Sequence, residues 1–222
     1  MSDDLIAAVI VVLIMLLVGF PVHEFSHALA AWRLGDGTAR LFGRLTLNPV
    51  SHFDPVGGSL LAITMLVSAS QGGGFGFGWA KPTPVNPLNL RGGRQSEAIV
   101  ALAGPASNLV LAALGALVFR LLSTLEADVP GLLVLVVFYF VLINVALMLF
   151  NLIPIPPLDG SRALLALLPP QVAWRWRPVI EQYGPILLLI AVFLPILPGG
   201  RPVIAVVFTA IGQPLLRLLL GV

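Results

Sequence analysis

The sequence predicts an all-α polytopic membrane protein, and its composition is the first reason. Of the 222 residues, 58% are hydrophobic and only 10% are charged, whereas soluble domains carry about 25% charged residues. The second reason is a series of long apolar runs, since a spanning helix needs about 20 mostly apolar residues. We therefore expect one integral membrane domain over residues 1–222, with about five transmembrane helices, a core over residues 5–170 and C-terminal helices over 171–222.

Apolar runs mark the predicted spans in order along the chain. The five clearest cover residues 5–31, 98–122, 131–153, 186–197 and 203–220. The first begins with Asp3 and Asp4 and has no small-residue cleavage site, so we expect it to be retained rather than removed as a signal peptide. A sixth run, residues 56–69, is short and opens with two glycines. We expect it to be a re-entrant or surface segment.

The stretches between the spans predict surface structure. Residues 75–90 contain several prolines, which bias their predecessors towards extended geometry, so we expect an extended Gly/Pro-rich loop at the membrane. This loop either offers an edge for strand addition by another chain or is a plug or membrane-surface loop. The glycine tract at 72–78 lacks the βαβ context of a phosphate loop, so no nucleotide is expected. Residues 171–183 carry charges and predict a surface helix. The basic residues are scattered over loops, so no nucleic-acid partner is expected.

Two histidines near the end of the first run predict a metal site. His23 and His27 are four residues apart, so on a helix they project from one face, with Glu24 beside them in an HExxH pattern. Ionisable groups within a membrane span are costly and mark functional sites. A buried polar or helix-packing role is the alternative. Since the chain has no cysteine, any further ligand must be His, Asp or Glu.

A catalytic zinc usually takes three protein ligands and one water, so a third ligand is required. Asp159 follows the third long run and a cluster of prolines. These prolines end the helix and leave backbone carbonyl groups without a hydrogen-bond donor. At that depth in the membrane, such groups are tolerated only beside a polar cavity. The residues alone leave two roles open for it, metal ligation and capping of a short helix. The remaining histidine, His52, either supports its loop with Asp54 or acts as a gate or support near the site.

Three motifs together resemble the site-2 protease family of intramembrane zinc metalloproteases. They read HEFSH at 23–27, GPASN at 104–108 and NLIPIPPLDG at 151–160. The chain resembles the short prokaryotic branch without PDZ or nucleotide-sensing domains. The resemblance implies one Zn²⁺ per chain, bound by His23, His27 and Asp159, with Glu24 as the catalytic acid and base. It also implies hydrolysis of peptide bonds in or near transmembrane segments, with single-span or other membrane proteins as substrates and the lipid bilayer as surroundings.

Asn108 and Asn151 match the asparagines of those motifs. Each side-chain amide could donate the hydrogen bond that stabilises an oxyanion, and each could equally form a hydrogen bond between helices. The alternative to a protease is a non-proteolytic membrane metal-binding or transport protein, since transporters also place ionisable groups and broken helices at mid-membrane.

Depth and charge predict the topology. If the ends of the first and third long runs share one ion, an even number of crossings separates them, so residues 56–69 do not cross. Cytoplasmic loops are enriched in Lys and Arg, which places the N-terminus outside, the C-terminus inside and the active site towards the cytoplasmic face of the cell membrane. Only Arg120 and Arg201 then lie outside, and Arg217 lies inside with the other basic residues.

Overall fold

The computed structural model describes residues 3–70, 78–124, 129–197 and 199–221. These residues are mostly helical, with one isolated bridge between Leu197 and Arg201. Four helical stretches are long and apolar enough to cross a membrane, namely Leu5–Arg33, Arg94–Thr124, Gly131–Leu152 and Val203–Leu220. The predicted all-α polytopic membrane fold is confirmed. Most of the glycine tract and the start of the predicted extended loop lie outside the described residues.

The first span is interrupted just before the histidines. Helix α1 (Asp3–Ile14) continues through a π-helical turn (Met15–Gly19) into α2 (Phe20–Arg33). Pro21 has no N–H to offer the preceding turn, and prolines and π-helical turns are both recognised sites of helix irregularity. The first span is therefore disrupted one turn before His23.

Short helices and an extended segment connect the first two spans. Helices α3 (Thr38–Leu41) and α4 (Pro49–His52) precede α5 (Pro55–Ser70), which packs its Leu61 and Met65 into a core cluster with α1. At 16 residues, α5 is shorter than a spanning helix, as expected for a re-entrant or surface element. The chain then runs extended from residue 78 to a 3₁₀ turn (Pro87–Asn89).

Helices α6 (Arg94–Thr124) and α7 (Gly131–Leu152) form the centre of the bundle. Small side chains on α6, such as Ala112 and Ala116, let α7 approach closely, and a buried apolar cluster fills the interface. A proline-rich turn follows α7, and α8 (Asp159–Leu167) returns against α6. The fold therefore brings α2, α6 and α8 together at one end of the bundle.

The C-terminal helices differ from the prediction. Helix α9 (Pro170–Phe193) joins the predicted surface helix 171–183 and most of the predicted span 186–197 into one element. The chain continues through α10 (Val203–Val207), a π-helical turn (Phe208–Gly212) and α11 (Gln213–Leu220). Because the first half of α9 carries charges, this helix falls outside the four stretches suited to crossing a membrane.

The direction of the last span corrects the predicted side of the C-terminus. Gly212 lies against Leu149, close to the end of α7, and the Arg120 guanidinium donates to the carbonyl groups of Leu218 and Leu219 at the end of α11. The last span therefore runs parallel to α6 and ends on the side of the α6–α7 connection. The prediction that the C-terminus lies on the same side as the active site was wrong, because the last span begins, rather than ends, at the active-site end of the bundle.

Candidate active site

Helix α2 and the start of α8 bring together the three predicted ligands. His23 Nε2 and His27 Nε2 each lie 3.2 Å from Asp159 Oδ2, and the two Nε2 atoms are 3.2 Å apart. Both histidines are buried. Among the described residues, this is the one group of three or more His, Asp or Glu side chains spaced to hold a metal ion.

The hydrogen bonds behind the imidazole rings show that these three atoms suit a cation. His23 Nδ1 lies 2.6 Å from Asn108 Oδ1, and His27 Nδ1 lies 2.7 Å from the carbonyl oxygen of Val100. Since both partners are acceptors, each Nδ1 carries the proton and each Nε2 presents a lone pair. Asp159 Oδ2 is buried without a hydrogen-bond partner. Three electron pairs thus converge on one point, where a bound metal cation would satisfy them.

The spacing of these atoms fits zinc in particular. Tetrahedral Zn²⁺ binds His nitrogen and carboxylate oxygen at about 2.0–2.2 Å, so its ligand atoms stand roughly 3.3 Å apart. The three separations of 3.2 Å match one face of that tetrahedron. Three protein ligands leave a fourth position open, which is the arrangement of a catalytic rather than a structural zinc site.

Gly104 of α6 is a site residue that sequence reasoning left without a role. A Cβ at this position would stand 2.6 Å from His27 Cε1 and 2.7 Å from His23 Cε1, well inside the contact distance of about 3.5–4.0 Å between carbon atoms. Only glycine lets both rings pack against α6. The available signal was its position at the start of the GPASN motif.

Glu24, the predicted catalytic acid and base, contacts the extended segment. The Thr83 backbone N–H donates to Glu24 Oε2 at 2.8 Å, and Thr83 Oγ1 donates to the Glu24 carbonyl oxygen at 3.0 Å. Thr83 is buried. The Lys81 N–H is bonded to the His52 carbonyl oxygen, which fixes the segment on its other side. The sequence predicted this segment as extended, but gave no sign that it supports Glu24.

Asp36 anchors the far end of the same segment. Its carboxylate accepts hydrogen bonds from the Asn86 N–H and the Asn89 side-chain amide, as well as from the N–H and hydroxyl of Thr38. Burial raises the pKa of Asp36, but these donors outweigh that effect and hold its pKa below the ordinary value. The ionised carboxylate therefore ties the segment to the end of α2.

The predicted asparagines have different surroundings. The Asn108 side chain is fully buried, with Oδ1 towards His23 and Nδ2 donating to Asn144 Oδ1 at 3.1 Å. It therefore contacts a predicted metal ligand directly. The Asn151 amide donates to the Leu147 carbonyl oxygen of its own helix at 3.0 Å. Its role as an oxyanion donor stays a prediction.

His52, the last residue of the short helix α4, is buried. Its Nε2 donates to the Thr46 carbonyl oxygen at 2.8 Å, and it is not part of the group with metal-ligand spacing. Asp54 accepts from the N–H groups of Val56 and Gly57 and so caps α5. The described contacts of His52 are those of a loop support, and they do not include Asp54.

Comparison with known proteins identifies the family of this site. Residues 126–197 match the model of Peptidase family M50. The chain is 40% identical over 220 residues to YwhC of Bacillus subtilis, covering 91% of this chain and 93% of YwhC. It is 33% identical over 177 residues to Rip2 of Mycolicibacterium smegmatis, covering 79% of this chain and 64% of Rip2. Both relatives are named as zinc metalloproteases. No solved structure matches the chain.

These comparisons favour the protease over the transport alternative. The similarity to YwhC covers 91% of this chain, and the geometry brings together three predicted ligands, which would leave one position of a tetrahedral ion open. The chain belongs to peptidase family M50, the site-2 proteases, and is a zinc metalloprotease of the membrane.

Proposed function

We propose that this zinc metalloprotease hydrolyses peptide bonds in or near the transmembrane segments of membrane-protein substrates. The depth of the site supports the proposal. His23 lies ten residues before Arg33, where α2 ends, and Gly104 lies ten residues after Arg94, where α6 begins. At 1.5 Å per residue both are about 15 Å from their helix ends, which is about half the thickness of the hydrocarbon core.

His23, His27 and Asp159 hold the ion, and Glu24 performs the proton transfers. When bound, zinc polarises the scissile carbonyl and lowers the pKa of a water to about 7. Glu24 accepts a proton from the attacking water and delivers it to the leaving amine. The Thr83 N–H bonded to Oε2 holds the Glu24 carboxylate in position, which leaves Oε1 for the proton. Asn151 is our candidate donor to the oxyanion.

The distribution of basic residues supports a cytoplasmic orientation of the site. With the observed direction of the last span, the basic residues at the active-site end are Arg33, Arg40, Arg44, Lys81, Arg91, Arg94, Arg162, Arg175, Arg177 and Arg201. Arg120 and Arg217 lie towards the opposite end, at or beside the end of α11, so the predicted inside position of Arg217 does not hold in this orientation. This bias follows the positive-inside rule. We therefore place the protein in the cell membrane with the site towards the cytoplasm.

Comparative membrane proteomics tests the substrate class. Cells producing the wild-type chain are compared with cells producing Glu24→Gln, and we expect at least one single-span protein to accumulate uncleaved in the variant. Purified enzyme in liposomes should then cut that protein, but not the same cleavage sequence carried on a soluble domain. Equal cleavage of the soluble form would contradict an intramembrane substrate.

A further inference from the structure

A buried asparagine in the middle of α7 lies outside the three sequence motifs. The side chain of Asn144 is fully enclosed within a spanning helix, where an unbonded amide is costly. Its Nδ2 donates to the Phe140 carbonyl oxygen at 2.8 Å and lies 3.8 Å from Met15 Sδ, and its Oδ1 accepts from Asn108 Nδ2 at 3.1 Å. All its described partners are within the bundle, and one of them, Asn108, is hydrogen-bonded to His23.

The hydrogen bonds form a chain with one direction. The Phe140 carbonyl can only accept, so the amino group of Asn144 must face it and Oδ1 must face Asn108. The amino group of Asn108 is then turned towards Asn144, and its Oδ1 is left for His23 Nδ1. This arrangement places the proton on Nδ1 and the lone pair on Nε2, which is the form of His23 that binds a metal.

The two histidine ligands are oriented by different kinds of acceptor. His27 donates to a backbone carbonyl, that of Val100, which has no donor atom to present instead. His23 donates to a side-chain amide, which can rotate and present an amino group in place of its oxygen. A rotated Asn108 would favour the His23 tautomer with its proton on Nε2, where it blocks ligation. Something must prevent that rotation.

We propose that Asn144 is the positioning residue that fixes the orientation of Asn108 and thereby keeps His23 in its zinc-binding tautomer. It acts through Asn108 and does not touch the metal ligands itself. Loss of such supporting hydrogen bonds typically weakens metal binding about 10- to 100-fold. The proposal assigns α7 a part in the metal site, although that helix ends before the ligand Asp159.

Zinc affinity of the purified full-length chain tests the proposal without relying on cleavage. Zn²⁺ is titrated against a chromophoric chelator for the wild type, Asn144→Leu, Asn108→Leu and the double variant. We expect Asn144→Leu to raise the zinc dissociation constant about tenfold or more. Because Asn144 acts through Asn108, the double variant should bind no more weakly than Asn108→Leu alone. Full addition of the two effects, or an unchanged affinity in Asn144→Leu, would overturn the proposal.

Two further variants separate positioning from stability. Val141→Ala leaves a cavity in the same α6–α7 interface, so it should lower thermal stability while zinc affinity stays at the wild-type value. If Asn144→Leu does not fold, Asn144→Ser replaces it, because serine is polar but too short to reach Asn108. Asp159→Ala reports on the metal site itself, so failure of that site is distinguished from failure of the Asn144 proposal.

Discussion

Replacing Gly104 by alanine tests whether α6 shapes the zinc site. The added Cβ would stand 2.6 Å from His27 Cε1 and 2.7 Å from His23 Cε1, so both rings must retreat by roughly 1 Å to reach ordinary contact distance. Zinc–ligand distances tolerate only about 0.2 Å. Each ring is also hydrogen-bonded to α6 itself, His27 through Val100 and His23 through Asn108, so a retreat from α6 stretches a buried hydrogen bond.

The expected loss follows from the cost of overpacking. Forcing a methyl group into a packed interior costs about 1–3 kcal/mol, and each 1.4 kcal/mol is a factor of ten in an equilibrium constant. If that cost falls on the arrangement that binds zinc, Gly104→Ala should weaken zinc affinity about 5- to 150-fold. Chelator competition measures the affinity, and cleavage of a single-span substrate should fall in parallel.

A glycine farther along the same helix provides a matched control. A Cβ at Gly115 would stand 2.9 Å from Phe140 Cδ1 and 3.0 Å from Val141 Cγ2, so Gly115→Ala crowds the α6–α7 interface away from the metal site. We expect it to lower thermal stability while zinc affinity is retained. Wild-type zinc affinity in Gly104→Ala, or equal losses of affinity in the two variants, would refute the reasoning.

Variants of the glutamate, of its supporting loop and of the helix ends test three other parts of the structure. Glu24→Gln should keep one zinc per chain and lower the cleavage rate about 10²- to 10⁴-fold; zinc analysis and cleavage assays measure both, and retained activity would exclude Glu24 as the base. Because the pKa of Asp36 is lowered in the folded chain, its contribution to stability is complete above its unfolded pKa of about 3.9 and is lost as the pH falls through the folded value. Limited proteolysis should therefore show the extended segment protected at pH 6 and progressively less protected as the pH falls below about 3.9, while Asp36→Asn should lower protection at pH 6 and remove this dependence; an unchanged pH profile in the variant would contradict the assignment. The cysteine-free chain also permits labelling: Ser123→Cys should react with an impermeant maleimide in intact cells and Arg175→Cys only after lysis, and a peptide tag fused after Val222 should be accessible from outside. Labelling of Arg175→Cys in intact cells would reverse the proposed orientation.

Local patterns in the sequence predicted the spans and the histidine pair. Spans follow from run length and apolarity, and His23 and His27 share a helix face by their spacing alone. For Asp159, the residues alone left metal ligation and helix capping open, and only the motif resemblance favoured ligation. Asp159 is 132 positions from His27, and spacing does not determine contacts over that range. The apolar run at 186–197 predicted a crossing, but its 12 residues are too few to distinguish a span from the apolar half of a partly charged helix.

Most of the site residues that the sequence did not reveal act through the backbone or through the absence of a side chain, not through a recognisable side-chain group. Val100 contributes a backbone carbonyl, Gly104 contributes the absence of a side chain, and Thr83 contributes a backbone N–H. Every residue type has a backbone carbonyl and every type except proline has a backbone N–H, so no sequence pattern marks Val100 or Thr83. Asn144 was visible as a polar residue in an apolar run, but its partners are set by packing.

Helix α6 organises the active site although it contributes no ligand. One face of this helix carries three residues spaced four apart, Val100, Gly104 and Asn108. Val100 accepts a hydrogen bond from His27, Asn108 accepts one from His23, and Gly104 leaves room for both rings. The same helix reaches the third ligand through Arg94, which donates to the carbonyl groups of Leu165 and Leu168 at the end of α8. Because α8 begins at Asp159, its position along α6 fixes where the carboxylate meets the two imidazoles. Zinc binding should therefore be sensitive to small substitutions on this face of α6. Conservative changes should affect it less when they lie in spans that hold no ligand and do not contact this face.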